Sequence, residues 1–281
     1  MWQFTAIGTQ WSIETPVVIS DEVKALVTDK IDQFDKTYSR FRDDSLVMSA
    51  AHQPGTYAFP VDSIELVDMY QKLYAATDGA VTPLVGDALV SMGYDKDYTL
   101  QPKDVSAIPR WDDSIEWQGS ILTTRRPVTL DFGAVGKGYL VDIIAAILES
   151  YGLDTYTIDA SGDVRHHGPV PQVIGLENPH DTSRVIGTMT IQNASLCASA
   201  TNRRRWANGL HHVIDGRTSK PTNEIVATWV ATASTAVADG IATALFFVDA
   251  ERLREWDFQF VRLYANGKIE HSENFVGELF I

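Results

Sequence analysis

The sequence predicts an α+β fold, and three observations predict it. Apolar residues recur at helical spacing in separate stretches, β-branched or alternating runs fall between them, and the two kinds do not alternate strictly as strand–helix–strand. The chain has 281 residues, near the ceiling for a single hydrophobic core, with 44% hydrophobic and 21% charged residues. That composition excludes a disordered chain.

The elements follow in order. Met1–Glu14 reads as strand. From about Asp21, residues Val23, Leu26, Val27, Ile31 and Phe34 recur every three or four positions, which predicts a helix. The polar run Ser39–Ser45 forms a turn after it. A second amphipathic helix spans about Asp62 to Thr77, carried by Ile64, Val67, Met69, Leu73 and Tyr74, and Asp78-Gly79 stops it. Residues 95–120 are rich in turn formers and are expected to be peripheral. Pro127–Phe132 reads as a short strand and Gly133–Gly138 as a tight glycine-rich loop. Leu140, Val141, Ile144, Ile147 and Leu148 then share one face of a helix that ends near Gly152. Thr155–Asp159 resumes as strand.

The longest apolar stretch, Ile225–Val248, is long enough to span a bilayer, but it contains Asp239 with several Thr and Ser. Its first half, Ala227–Thr232, reads as strand. Ser234 and Thr235 then offer N-cap hydroxyls for a helix from Ala236 to about Val248. It is a buried strand and a buried helix, so no membrane insertion is expected. Phe258–Ile281 reads as a terminal hairpin-like segment.

Lys and Arg total 23 against 37 Asp and Glu, a formal net charge of −14. Such a surface repels phosphate backbones and anionic lipid, which argues against nucleic-acid or membrane-surface partners. A phosphate-bearing ligand would need a local cation, most simply a bound metal. Arg203-Arg204-Arg205 reads as a solvated patch. Cys197 is the single cysteine, so there is no intrachain disulfide and no CxxC zinc site; it is expected to be a small buried hydrophobe. The N-terminus has neither the basic nor the apolar region of a signal peptide. The chain as written is therefore expected to be cytoplasmic, or periplasmic or membrane-anchored if a leader has been removed.

Three places carry candidate chemistry. A strand running into a glycine turn and a helix presents backbone N–H groups to a phosphate. Neither familiar motif fits: a P-loop ending at Lys137 would put Asp131 at its first glycine, and a dinucleotide fingerprint from Gly136 would need glycine at Val141. Asp131 and Lys137 remain, flanking the loop; the plainer alternative is that they pair with each other. In the late helix, Asp239 and Thr243 lie one turn apart on one face. A carboxylate with a hydroxyl is oxygen-donor chemistry suited to Mg²⁺, which takes few protein carboxylates and fills its octahedron with phosphate and water. The plainer alternative is that Asp239 caps or pairs and Thr243 bonds its own i−4 carbonyl. Third, His211 and His212 are adjacent in an extended segment, so at most one faces a given site, as a general base or a contact. His166-His167 has the same geometry and reads as surface.

Together these pieces resemble the ApbE family, flavin transferases that move FMN from FAD onto a protein threonine. The resemblance runs from Ile7-Gly8-Thr9-x-Trp11 to Thr243. Its strongest part is Leu130-Asp131 through Val141-Asp142, similar to the family's L-D-x-G-x-x-x-K-G-x-x-V-D. Gly162-Asp163, His212-Val213-Ile214-Asp215 with Arg217-Thr218, and Ala238-Asp239 with Ala242-Thr243-Ala244-Leu245 follow in the family's order and spacing.

The resemblance implies a single domain over residues 1–281 with a T-fold-like mixed sheet and helices in two halves, the nucleotide lying between them. It implies FAD as substrate, contacted by Asp131 and Lys137. Mg²⁺ would be held by the Ala134 carbonyl and the Asp239 and Thr243 side chains, with Asp239 essential to catalysis. By the same mapping Ile7, Phe41, Ala80, Val81, Thr82 and Val213 line the nucleotide site. His212 is the proton acceptor, and the second partner is a flavoprotein bearing a target threonine. The metal set is intact, whereas the nucleotide-lining set departs from the family. Ile7 replaces Met, Val81-Thr82 replaces Phe-Asp, Leu84 replaces Thr, Asp215-Gly216 lacks a Pro, and Asp159–Asp163 has lost one glycine. Two alternatives stay open: a Mg²⁺-dependent FAD pyrophosphatase giving FMN and AMP, and a non-catalytic FAD-binding protein.

Overall fold

The computed structural model describes residues 1–206 and 209–280. In chain order it contains β1 (Trp2–Ala6), β2 (Thr9–Glu14), α1 (Asp21–Tyr38), α2 (Leu46–His52), β3 (Gly55–Ala58), α3 (Ser63–Ala76), α4 (Gly86–Ser91) and α5 (Trp111–Ser114). Next come β4 (Ile115–Gln118), β5 (Ile121–Thr124), α6 (Gly136–Ser150), β6 (Tyr156–Asp159), β7 (Asp163–His167), β8 (Gln172–Asn178), β9 (Asp181–Ile191) and β10 (Ala194–Ala200). Four two-residue strands follow: β11 (Arg205–Trp206), β12 (Leu210–His211), β13 (Ile214–Asp215) and β14 (Lys220–Pro221). The chain closes with β15 (Ile225–Thr232), α7 (Thr235–Ala244), β16 (Gln259–Tyr264), β17 (Ile269–His271) and β18 (Gly277–Leu279). Helices and strands are mixed, as the sequence predicts. No helix among the described residues is long and apolar enough to cross a membrane.

The chain divides into two compact units. The first comprises Met1–Ile31, Lys137–Asn202 and Asn223–Ile281; the second comprises Asp32–Gly136 and Arg203–Thr222.

The first unit is built on an eight-stranded antiparallel sheet in the order β1-β2-β6-β7-β10-β15-β16-β17. Its central strand β15 is buried on both faces, which explains why it reads as a near-continuous apolar run. Ala227, Trp229 and Ala231 pack with Leu176, Met189 and Ile191 of a second, three-stranded sheet in the order β18-β9-β8. On the other face, Thr228 Oγ1 donates to the Ala242 carbonyl of α7 at 2.6 Å.

Helix α7 begins where expected. Ser234 is its N-cap, its Oγ accepting from the Val237 N–H at 3.3 Å. Asp142 of α6 completes the cap: its carboxylate accepts from Ser234 Oγ (2.8 Å), Thr235 N–H (3.0 Å) and Ala236 N–H (3.0 Å), and Arg165 pairs with it at 3.1 Å. An anion at this helix start satisfies orphan N–H groups and meets the positive end of the dipole. Gly138 lets α6 approach α7 so closely, because a Cβ there would fall on the Thr235 carbonyl and the Asp239 Cβ.

The second unit gathers α2–α5, a small sheet in the order β3-β5-β4, and the pairs β11-β12 and β13-β14. Leu89, Met92, Tyr94, Trp206 and Ile214 form one of its cores.

Several expectations are corrected. Pro127–Phe132 is not a strand. Val128, Leu130 and Phe132 are buried in alternation, but the N–H of Val128 bonds to Ala50 and that of Asp131 to Pro83. Extended backbone supplied with single bonds from two different elements has no ladder to join. The late helix ends at Ala244 instead of Val248, because Phe246 and Phe247 turn back to carbonyls three residues earlier. Within the peripheral segment, α5 and β4 bury Trp111, Ile115 and Trp117. His166 is buried, its ring bonded to Thr157 Oγ1 (2.9 Å) and the Val170 carbonyl (2.8 Å). The terminal segment does open with the β16–β17 hairpin, but β18 leaves it to pair with β9, and Ile281 lies outside the described residues.

Replacing Asp142 by Ala removes three cap bonds and one ion-pair partner of Arg165. Asp142→Ala is expected to lower unfolding stability by about 1–2 kcal/mol, read as an earlier urea midpoint. An unchanged midpoint would contradict the capping role.

Candidate functional site

In the first unit the glycine turn delivers Lys137 and Gly138 into the opening turn of α6. The Gly138 N–H donates to Asp239 Oδ2 at 3.0 Å. Asp239 is buried and Thr243, one turn further along α7, is partly buried. The expectation that Asp239 caps is thus met in part, since it takes one orphan N–H of α6. A carboxylate has about four acceptor positions, so a single N–H bond does not by itself exclude a metal.

The donor set fits Mg²⁺. Asp239 and Thr243 offer oxygen atoms alone, and no cluster of three His, Cys, Asp or Glu exists among the described residues to form a closed cage. An ion held by one carboxylate and a hydroxyl must complete its shell from phosphate and water, which is the habit of Mg²⁺.

Lys137 does not pair with Asp131. Its Nζ lies 3.1 Å from Asp163 Oδ2 and donates to the carbonyls of Ala160 (3.1 Å) and Ser161 (3.4 Å). The two carbonyls take two of the three ammonium donors. Burial favours the neutral amine, but Asp163 and Asp239 outweigh it and push the Lys137 pKa up. Burial pushes the fully buried Asp163 carboxyl up, against the pull of Lys137. Its oxygens make no well-aligned hydrogen bond, so the two meet as a charge contact.

Lys137 therefore pins the β6–β7 turn. In that turn Ser161 has φ 56°, and it stands in the Asp159–Asp163 segment that has lost a glycine. Its Oγ donates to the Gln10 carbonyl at 2.7 Å, a bond glycine could not make. Ile7 begins the neighbouring β1–β2 turn with φ 41°, an uncommon conformation for a β-branched residue. Cys197 is fully buried, as expected; its thiol donates to the Thr235 carbonyl at 3.5 Å, and burial pushes its pKa well up.

In the second unit Asp131 pairs with Arg40, whose Nε donates to Oδ2 at 2.5 Å, and the Gly133 N–H donates to Oδ1 at 2.8 Å. Burial raises the Asp131 pKa, but Arg40 and the Gly133 N–H hold it below the usual value. Ala134 follows, its N–H donating to Tyr70 Oη at 3.3 Å. Phe41 is partly buried beneath the Arg40 guanidinium, 4.1 Å from its ring centroid, and Tyr98 stacks on it.

Of the two histidines, His211 is engaged: Nε2 meets the Thr222 carbonyl at 2.7 Å and Nδ1 accepts from the Val213 N–H at 3.3 Å. His212 differs. It is partly exposed, but its Nδ1 is covered and has no hydrogen-bond partner among the described residues. Burial, reinforced by the Arg204 charge, lowers its pKa from 6.5 to about 3. A neutral imidazole with an unused nitrogen is equipped to accept a proton or hydrogen bond. Arg204 belongs to the exposed triplet expected, yet it lies over the Tyr94 ring at 5.5 Å.

Ala80, Val81 and Thr82 are buried. Thr82 Oγ1 caps the Leu84 N–H at 3.2 Å, and the Gly216 N–H donates to the Ala80 carbonyl at 2.9 Å. A Cβ at Gly216 would strike the carbonyls of Gly79 and Ala80, so this close contact requires glycine in the turn after Val213. The departures at Val81-Thr82 thus sit in the interior, where Thr82 has a structural task.

Sequence reasoning missed Arg40, whose partner Asp131 lies 91 positions away. It quoted Asp142 and Asp163 within motifs but gave neither a role. Three consecutive carboxylate-bearing motifs in an acidic chain were the available signal, since a buried carboxylate needs a cation or N–H groups.

Because the folded chain keeps His212 neutral down to about pH 3, while the unfolded chain takes up a proton near pH 6.5, acid favours unfolding between those values. His212 is expected to contribute about 1–2 kcal/mol of the stability lost from pH 6.5 to 4.5, after allowance for solvent screening. Urea midpoints of His212→Gln across this range should fall less steeply than those of the unaltered protein. Parallel curves would contradict the lowered pKa.

Comparison with known proteins places the chain. A FAD:protein FMN transferase of Klebsiella pneumoniae (strain 342) is 23% identical over 276 residues, spanning 89% of this chain and 78% of that protein. The crystal structure of the ApbE protein of Thermotoga maritima superposes with a TM-score of 0.84 at 21% identity, covering 97% of this chain and 96% of that one. A histidine-to-glycine form of the flavin transferase ApbE of Vibrio cholerae gives 0.78 at 21% identity, with the same coverages of 97% and 96%. At such identities the superpositions speak for the fold. The sequence profile of the ApbE family extends from residue 7 to residue 260, and by that match the chain belongs to the ApbE family.

Proposed function

We propose that this chain transfers FMN from FAD to a threonine hydroxyl of a flavoprotein and releases AMP, in a reaction that depends on Mg²⁺. The observation that carries this reading is the buried Asp239 carboxylate, bonded to the start of α6 with Thr243 one turn away. A protein with a net charge of −14 needs a local cation to accept a pyrophosphate, and this is where its oxygen donors suit one. Mg²⁺ bound there supplies charge neutralisation to the pyrophosphate oxygens.

The chemistry asked of the chain is otherwise modest. The acceptor oxygen attacks the FMN-side phosphorus, the bond to the AMP oxygen breaks, and a phosphate ester forms on the threonine. His212, whose Nδ1 is unused, takes the hydroxyl proton. Asp131 keeps the Gly133 N–H in place, and Lys137 fixes the β6–β7 turn. Positioning and electrostatics dominate in such transfers, and each paired group holds its own segment in place within its unit.

Incubation with FAD, Mg²⁺ and an acceptor fragment, followed by mass spectrometry, tests the reading. The acceptor should gain one FMN, and Asp239→Ala should slow the gain about 100-fold or more. A wild-type rate in Asp239→Ala would overturn the metal assignment. Free FMN and AMP without labelled acceptor would replace the transferase reading by the pyrophosphatase one, and FAD left intact would leave only binding.

A further inference from the structure

Arg40 is a buried cation whose guanidinium is only partly engaged. Nε donates to Asp131 and Nη1 donates to the Tyr94 carbonyl at 2.8 Å, while the covered Nη2 has no hydrogen-bond partner among the described residues. The side chain is only 2% exposed. Arg262, also buried, leaves its Nε without a partner, but both its outer nitrogens are taken, by the Leu245 and Val248 carbonyls and by Glu270 and Asp249. An unfilled outer nitrogen on a buried guanidinium is costly and calls for an acceptor from outside the chain.

The surroundings define that acceptor. Asp131, 2.5 Å from Nε, cancels the Arg40 charge, so the pair presents a donor without net charge. That suits a neutral carbonyl better than a phosphate oxygen. The guanidinium lies over the rings of Phe41 (4.1 Å) and Tyr94 (4.9 Å), and Phe41 and Tyr98 stack within 6° of parallel. These flat aromatic surfaces favour a flat heterocycle. Of the two ring systems of FAD, adenine has no carbonyl and isoalloxazine has two.

We propose that Arg40 recognises the flavin ring, its Nη2 donating to an isoalloxazine carbonyl while Asp131 and the Tyr94 carbonyl hold the guanidinium in place. This deepens the FAD reading above and rests on it. Arg40 would then select the flavin end of the dinucleotide without touching the bond that breaks.

The test compares binding of FAD, riboflavin and AMP to the unaltered protein and to Arg40→Lys, without Mg²⁺, by calorimetry. Lysine keeps the charge but loses the fork. FAD and riboflavin should each bind about 10- to 100-fold more weakly to Arg40→Lys, with AMP within about twofold of the unaltered protein. Unaltered riboflavin affinity, or a loss confined to AMP, would overturn the assignment while leaving the FAD reading standing. An unaltered protein that binds no FAD would overturn both. If Arg40→Lys does not fold, nitrogen-edited NMR of the unaltered protein answers the same question. Riboflavin should shift the Arg40 Nη resonances; resonances that stay in place, as when an ordered water fills the position, overturn the proposal.

Discussion

The junction of α6 and α7 is the constraint on which the first unit depends. Two helix starts meet there, and each is closed by a carboxylate from the other helix. Asp239 of α7 takes the Gly138 N–H of α6, and Asp142 of α6 takes the Thr235 and Ala236 N–H groups of α7. The exchange is possible because residue 138 has no side chain. It is also economical for function, since the glycine that permits the contact follows directly on Lys137, and the carboxylate that answers it shares a helix face with Thr243.

The carboxylates at these junctions are each met by a different partner. Asp163 meets Lys137, Asp131 meets Arg40, and Asp142 meets a helix start together with Arg165. Removal of Lys137 or Arg40 would leave its buried carboxylate without its cation. Among the described residues three buried nitrogens are left unfilled: Arg40 Nη2 and His212 Nδ1 in the second unit and Arg262 Nε in the first.

Much of the fold was legible in the residues. Helices α1, α3 and α6 follow from apolar spacing, and Ser234 announces α7, because amphipathic period and capping are local. Pro127–Phe132 misled for a physical reason: alternation reports burial, whereas a strand also needs a partner backbone, which lies elsewhere in the sequence. The site was legible as motifs and opaque as pairings. Asp131 and Lys137 are six positions apart and invited each other, yet Arg40 and Asp163, brought in by tertiary structure, claimed them. His211 and His212 look equivalent in sequence; only the Thr222 carbonyl, which engages one of them, tells them apart.

The claim at the centre is that Asp239 and Thr243 together grip a divalent ion in the presence of FAD. Electron paramagnetic resonance of Mn²⁺ in place of Mg²⁺ reads that directly, without acceptor or turnover. With FAD present, the unaltered protein should take up one Mn²⁺, Thr243→Val should bind it about tenfold more weakly, and Asp239→Ala should leave the ion free in solution. Equal Mn²⁺ uptake by all three proteins would contradict the account.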